Sequence, residues 1–187
     1  MKQPKQKRAG TVVPIMDAEA IRGALRRVAH EIIERNPQLT HVVLAGIPSR
    51  GVEIAQRIAR FIHEIEKIDV ETGVIDVAMH RDDVGTRSEL PIVRESKLPL
   101  PLEERTIIVV DDVLYTGRTV RAAMDAINSF GRPAGIQLAV LIDRGHRELP
   151  IEANFVGKTI TTKDNEVVEV KLTEIDGEDA IYVMEKI

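Results

Sequence analysis

The chain contains no cysteine and no tryptophan. Without thiols it can form neither a disulfide nor a cysteine-based zinc site. Aromatic residues make up 3% of the sequence, two Tyr and three Phe, which leaves few platforms on which single-stranded bases could stack. The core must therefore be built of Val, Ile, Leu and Ala within the 43% apolar content. No apolar run approaches the roughly 20 residues of a membrane-spanning helix, and Met1 to Gly10 lacks the apolar stretch of a secretory leader. A cytoplasmic protein without a membrane segment is expected. An excess of positive charge is missing too. Lys and Arg number 26 against 30 Asp and Glu, a net charge of −4, so any nucleic-acid binding must rest on a local basic patch.

A length of 187 residues accommodates one domain with a substantial core, whereas two would be cramped. Lys2, Lys5, Lys7 and Arg8 lie in a stretch without apolar periodicity. Residues 1–14 are accordingly expected to be a disordered basic tail and residues 15–187 a single domain. There is no internal repeat.

The most informative stretch runs from Thr106 to Arg121. Ile107 to Val110 is apolar on both faces, as in a parallel strand covered by helices on both sides. Asp111 and Asp112 follow at its carboxyl end, and Thr116, Gly117, Arg118 and Thr119 then open a helix carrying Val120, Ala123, Met124 and Ile127. Open α/β sheets bind ligands at the carboxyl ends of their strands, and a helix N-terminus there offers free N–H groups to a phosphate. Two adjacent carboxylates would repel that phosphate. Their presence points to a ligand with both an anionic group and vicinal hydroxyls, or to a bound Mg²⁺, and a phosphorylated ribose meets both demands.

The same strand-loop-helix grammar recurs. His41 to Ala45 leads through Gly46-Ile-Pro-Ser-Arg-Gly51 into a helix with Ile54, Ile58, Ile62 and Ile65 on one face, so Ser49, Arg50 and Gly51 can hold a second anionic group. Val74 to Met79 and Ile136 to Ile142 read as further strands, making four parallel members. Val167 to Leu172 and Ala180 to Met184, around Asp176-Gly177, read as a terminal antiparallel pair. Ahead of these, a helix from Asp17 buries Ile21, Leu25, Val28 and Ile32 and stops at Asn36-Pro37. Its other side carries Arg22, Arg26 and His30 in one stripe with Arg27 alongside, which is either a solvated face or a basic patch. Asp143 to Pro150 brings Arg144, His146 and Arg147 to a strand end on the ligand side.

Val110 to Arg121 resembles the phosphoribosyl-diphosphate (PRPP) loop of type I phosphoribosyltransferases. Together with Gln137 to Pro150, Arg81-Asp-Asp83, and Ile21-Arg22 through Ala29-His30-Glu31, the chain is similar to the PyrR family. Members of that family regulate pyrimidine operons by transcription attenuation and are also uracil phosphoribosyltransferases. The resemblance implies an α/β type I phosphoribosyltransferase fold, a central parallel sheet flanked by helices, with a small hood formed by the segment after Ile142 and the C-terminal antiparallel strand pair. It implies PRPP and uracil as substrates, UMP and UTP as bound nucleotides, Mg²⁺ held mainly by PRPP, a structured leader mRNA as partner, and a homodimer or larger homo-oligomer.

Residue by residue, the resemblance has Asp111 and Asp112 grip the ribose hydroxyls, Tyr115, Thr116, Gly117, Arg118 and Thr119 hold the 5′-phosphate, and Ser49, Arg50 and Gly51 take pyrophosphate. Val113, Leu114, Arg144 and Arg147 complete the substrate site. Arg26, Arg27, His30, Arg144 and Arg147 make the RNA face. Purine phosphoribosyltransferases commonly carry an acid at the position of Tyr115, so its absence favours a pyrimidine. The sequence departs from the family's usual residues at His80, Glu152, Arg26 and Thr161 to Asp164; Arg26 adds charge to the implied RNA face and Glu152 removes some. An enzyme without an RNA role, acting on uracil or less readily on a purine, is the alternative.

About 25 residues between His80 and Glu104 lack periodicity and hold Arg81, Asp82, Asp83, Arg87 and Arg94 among prolines. A lid that excludes water is expected, with Arg81 a catalytic counter-charge to departing pyrophosphate. Hydrogen exchange over residues 81–95 should slow when PRPP and Mg²⁺ bind; equal protection with and without them would make this a static surface loop.

Overall fold

A computed structural model describes residues 11–77 and 96–185. The basic tail up to Gly10, and His80, Arg81, Asp82, Asp83, Arg87 and Arg94 of the expected lid, lie outside the described residues.

The chain begins with strand β1, Val12–Met16, and then helix α1, Ala18–Arg35. Asp17 caps the helix by accepting the Ala20 N–H at 2.8 Å. Asn36 ends it and exchanges side-chain amide bonds with Gln137, at 3.1 and 3.0 Å. There follow β2 (Val42–Gly46), α2 (Arg50–Glu66), β3 (Glu71–Val74), β4 (Thr106–Leu114), α3 (Arg118–Phe130), β5 (Gly135–Asp143), β6 (Phe155–Thr159), β7 (Glu166–Lys171), the short α4 (Thr173–Asp176) and β8 (Ala180–Glu185).

Five strands form a parallel sheet in the order β3-β2-β4-β5-β6, and three form an antiparallel sheet in the order β1-β8-β7. Alternation along β4 explains the layering. Ile108 and Val110 join Ile21, Leu25, Ile54 and Ile58 of α1 and α2 in one core, while Ile107 and Val109 join Val120, Ala123 and Ile127 of α3 in the other. Both faces of β4 are thus dry, and its carboxyl end is where polar residues first emerge. Among the described residues, no helix is long and apolar enough to cross a membrane.

Several boundaries differ from those expected. The sheet has a fifth parallel strand, β6, whose Gly157 breaks the apolar run. A Cβ there would lie 2.4 Å from the Leu141 carbonyl oxygen, so close approach rather than a side chain defines the position. β3 ends at Val74 instead of starting there. Ile75 and Val77 are buried without being in a strand, and their burial mimics one. β4 extends through the acids to Leu114. Residues 12–14, expected in the tail, belong to β1, an edge strand paired with β8 whose Val12 and Val13 are exposed.

The small sheet is fastened to α2. Arg57 donates to Asp179 at 2.6 and 2.8 Å and to Glu174 at 3.0 Å. The Arg57 guanidinium is the main reason the Asp179 carboxyl falls from 3.8 to about 2, against the opposing effect of burial. A carboxyl lowered on folding contributes stability that is present above its unfolded value of about 4 and is lost as pH falls towards 2; the shift corresponds to about 2 kcal/mol. Asp179→Asn should therefore lower stability at pH 7 by about that amount and flatten the acid limb between about pH 4 and 2, as read from urea unfolding. An acid limb identical to wild type would show that the pair is not what fastens the sheet.

Candidate active site

Two helix N-termini converge on the end of β4. Gly46 and Gly51 make this possible for α2. A Cβ on Gly51 would stand 2.4 Å from the Val110 carbonyl oxygen and 3.3 Å from the Asp111 Cα, and one on Gly46 would meet Val52 Cα at 2.4 Å. The first turn of α2 therefore rests on the backbone of β4 with no side chain between them. Ile47 N–H donates to the same Val110 oxygen at 2.9 Å. Ser49 sits at the helix cap, and its hydroxyl makes no capping bond.

Asp111 is buried and Asp112 half-buried at the end of β4. Each turns back on its own strand. Asp111 Oδ1 accepts the Asp112 N–H at 2.9 Å, and Asp112 Oδ1 accepts the Val113 N–H at 2.8 Å. These bonds fix the direction of both carboxylates.

The next turn is an anion cradle. Gly117 has φ +92°, a conformation that disfavours any side chain, and opens α3. The carbonyls of Leu114, Tyr115 and Thr116 are all engaged by the 144–149 turn. Leu114 O accepts Arg144 N–H at 3.1 Å, Tyr115 O accepts Arg147 Nη1 at 2.9 Å, and Thr116 O accepts the N–H groups of Glu148 and Leu149 at 3.0 and 3.2 Å. Among the described residues, the N–H groups of Thr116, Gly117 and Thr119 have no acceptor. Such a set of convergent donors at the N-terminus of a 13-residue helix binds phosphate.

Arg147 is the hub that holds the cradle. Besides Tyr115 O it donates to Asp143 at 2.6 Å, Ile151 O at 2.8 Å and Gly145 O at 3.2 Å. Arg118 Nε donates to Glu148 at 2.6 Å, closing the same two loops on each other. Arg144 corrects an expectation. It is only 5% exposed and cannot form an open RNA-binding surface. Its guanidinium lies 4.0 Å from the Tyr115 ring centroid and donates to Thr162 Oγ1 at 3.2 Å and Glu166 O at 3.0 Å. His146 accompanies it, contacting Thr162 O at 2.8 Å and the edge of Tyr115. Beside these residues lies a cavity of about 760 Å³ that Arg144, Arg147, Glu152, Thr159 and Thr162 help to line.

On α1 the basic residues part company. Arg22, Arg26 and His30 are exposed in one stripe, with Arg26 3.9 Å from Glu64 of α2. Arg27 turns the other way, donating to Glu31 at 2.8 Å, to Val156 O at 3.2 Å and to Gly157 O, and so binds α1 to β6. Arg27 is a strut in this structure. Arg81 cannot be placed, being outside the described residues. Among the described residues, no group of three or more His, Cys, Asp or Glu could hold a metal by itself. The acidic turn of Glu174, Asp176 and Asp179, which meets Arg50 and Arg57 of α2, carried no signal in the sequence beyond Asp176-Gly177.

Comparison with known proteins bears on this geometry. The phosphoribosyl transferase domain model matches residues 14–175. The bifunctional protein PyrR of Deinococcus deserti is 53% identical over 167 residues, covering 89% of this chain and 91% of the relative. That of Thermus aquaticus is 53% identical over 172 residues, with 92% and 95% covered. Among solved structures, a hypoxanthine phosphoribosyltransferase of Trypanosoma cruzi superposes with a TM-score of 0.72 at 17% identity, covering 97% of this chain and 95% of that one. One from Staphylococcus aureus gives 0.69 at 18%, with 92% of each covered. At that identity the likeness is one of fold.

The contact of α2 with β4 predicts the effect of a single methyl group. Gly51→Ala should cost about 1–3 kcal/mol in urea unfolding, because backbone must move to relieve the overlap. Calorimetry should show weaker binding of pyrophosphate as a probe anion. Stability and binding equal to wild type would show that the close approach is not required.

Proposed function

The chain belongs to the phosphoribosyl transferase domain family and, within it, to the bifunctional PyrR proteins, and on that premise we propose that it makes UMP from uracil and PRPP and regulates pyrimidine genes by binding a leader RNA in the cytoplasm. The observation that carries the enzymatic half is the pair of carboxylates at the end of β4, flanked by two helix N-termini. One ligand with a phosphate, a diol and a diphosphate spans all three.

In this reading Thr116, Gly117 and Thr119 bind the 5′-phosphate through their N–H groups, and Asp111 and Asp112 accept the ribose hydroxyls. Ser49, Arg50 and Gly51 receive the diphosphate. Half-buried Val113 and buried Leu114, at the end of β4, flank the reacting centre. Uracil N1 forms its bond to C1′ as the bond from C1′ to the diphosphate oxygen breaks, and the N1 proton is released. No acid stands at Tyr115 to take it. The N1–H of uracil is acidic enough that orientation and charge stabilisation suffice. The residues suit Mg²⁺ that arrives on PRPP: a few hard carboxylate oxygens and, among the described residues, no protein cage, so the ion would keep water and diphosphate ligands and neutralise the leaving group. Arg81 remains the proposed counter-charge to that group.

For the regulatory half, Arg26 and His30, with Arg22, form the exposed surface offered to RNA phosphates and unstacked bases. Arg27, exposed beside them, also ties α1 to β6, and Arg144 and Arg147 act behind this surface by holding the 144–149 turn in place. That turn is bonded to the phosphate cradle, so UMP in the cradle and RNA on the surface favour one conformation, and each must tighten the other by the same factor. A homodimer or larger assembly completes the proposal.

Asp111→Asn and Asp112→Asn should each lower uracil turnover about 10- to 100-fold, as expected for loss of charge-assisted bonds of about 1.5–3 kcal/mol. Uracil should be preferred to hypoxanthine, guanine and adenine. Wild-type rates in both variants would remove the ribose assignment. RNA affinity measured against salt should fall for Arg26→Ala and His30→Ala while uracil turnover is kept, and should rise with UMP. Absence of saturable, structure-dependent RNA binding under every nucleotide condition would leave the enzyme alone.

A further inference from the structure

Two arginines of α2 reach the acidic turn before β8, and they are used differently. Arg57 is closed on both edges: Nε and Nη2 face Glu174, while Nη1 and Nη2 face Asp179. Arg50 is closed on one edge only. Its Nε donates to Asp176 Oδ2 at 3.2 Å and its Nη2 to Asp176 Oδ1 at 2.8 Å, and among the described residues its Nη1 has no acceptor. A guanidinium has five N–H donors in a rigid plane, so binding one edge to a carboxylate fixes the direction of the other.

Asp176 is itself held firmly. Its Oδ2 accepts the Leu172 N–H at 2.9 Å, Asp176 N–H donates to Leu172 O at 2.7 Å, and Gly177, at φ +78°, closes the turn. Glu174, two residues earlier, and Asp179, three later, are locked by Arg57. The Asp176 carboxylate is therefore a fixed point, 126 positions from Arg50 in sequence, at the first residue of the helix whose N-terminus faces the end of β4.

We propose that Asp176 is a positioning residue for the leaving-group side of the reaction: it holds one edge of Arg50 so that the other is presented, already ordered, to the diphosphate of PRPP. This rests on the transferase reading. A free arginine loses substantial side-chain entropy when it clamps an anion, whereas one already fixed by Asp176 has lost it on folding. The pair leaves the local charge nearly neutral until diphosphate enters, and the diphosphate then meets donors that need no rearrangement. Asp176 touches no substrate atom in this scheme. Its effect is transmitted through Arg50, and it is confined to ligands that carry a diphosphate.

The test is calorimetry on the full-length protein with magnesium pyrophosphate and, separately, with UMP, which lacks the leaving group. Asp176→Asn keeps the shape and removes the charge, and Asp176→Glu restores the charge on a longer arm. Asp176→Asn should weaken pyrophosphate about tenfold, the loss of one well-placed charge-assisted contact, and should raise the KM for PRPP. UMP affinity and the KM for uracil should stay within about twofold. Asp176→Glu should recover part of the loss. In an Arg50→Ala background the Asp176→Asn change should have no further effect on pyrophosphate. Equal weakening of pyrophosphate and UMP, or additive losses in the double variant, would overturn the inference and make Asp176 a structural residue only. If Asp176→Asn does not fold, the same comparison made with Asp176→Ser, which also removes the charge, decides: an unchanged pyrophosphate affinity there overturns it. Should the wild type bind neither PRPP nor UMP, the transferase reading fails, which is a different result from a wild type that binds both and a variant that loses neither.

Discussion

Everything at the site depends on one contact in which backbone meets backbone. The first turn of α2 lies on the Val110 carbonyl because Gly51 has no Cβ and Gly46 leaves room for Val52. The contact brings one helix N-terminus up to the end of β4, from which the turn to α3 supplies the other. A single side-chain carbon would part them. The distance between the two cradles is set by the sheet itself, since β2 and β4 are paired in register from Val42 and Thr106 to Gly46 and Val110. The spacing of the two helix N-termini is therefore fixed by the sheet.

Charge is distributed on the same principle. The chain is negative overall, yet arginines occupy the important joints, mostly as struts. Arg27 ties α1 to β6, Arg57 ties α2 to the small sheet, and Arg147 ties the 144–149 turn to the phosphate cradle. Arg144 is buried against Tyr115 among neutral acceptors. The planar fork of arginine suits this work, because one side chain can satisfy several carbonyls that would otherwise be left unpaired. The basic residues left exposed on α1 are Arg22, Arg26, Arg27 and His30.

What could be read from the sequence followed locality. The apolar run of β4, the acids after it and the Thr-Gly turn lie within a short stretch, so their chemistry and spacing were visible together. The capped α1 and the C-terminal strand pair were legible for the same reason. Density of charge, by contrast, does not distinguish a basic patch from a buried strut, and so nothing local in the sequence separates buried Arg144 from its exposed neighbours. Burial of Ile75 and Val77 imitated a strand, and Gly157 concealed one. Arg50 and Asp176 are partners only in three dimensions, and neither carries a local pattern that names the other.

The central claim is that one phosphorylated ribose lies across the end of β4, between the two helix N-termini. The most direct measurement is a crystal structure of the complex with UMP. The account predicts the phosphate within hydrogen-bonding distance of the N–H groups of Thr116, Gly117 and Thr119, and the ribose hydroxyls on Asp111 and Asp112. A phosphate found instead in the cavity lined by Arg144 and Thr162, with the carboxylates of Asp111 and Asp112 uncontacted, would contradict it.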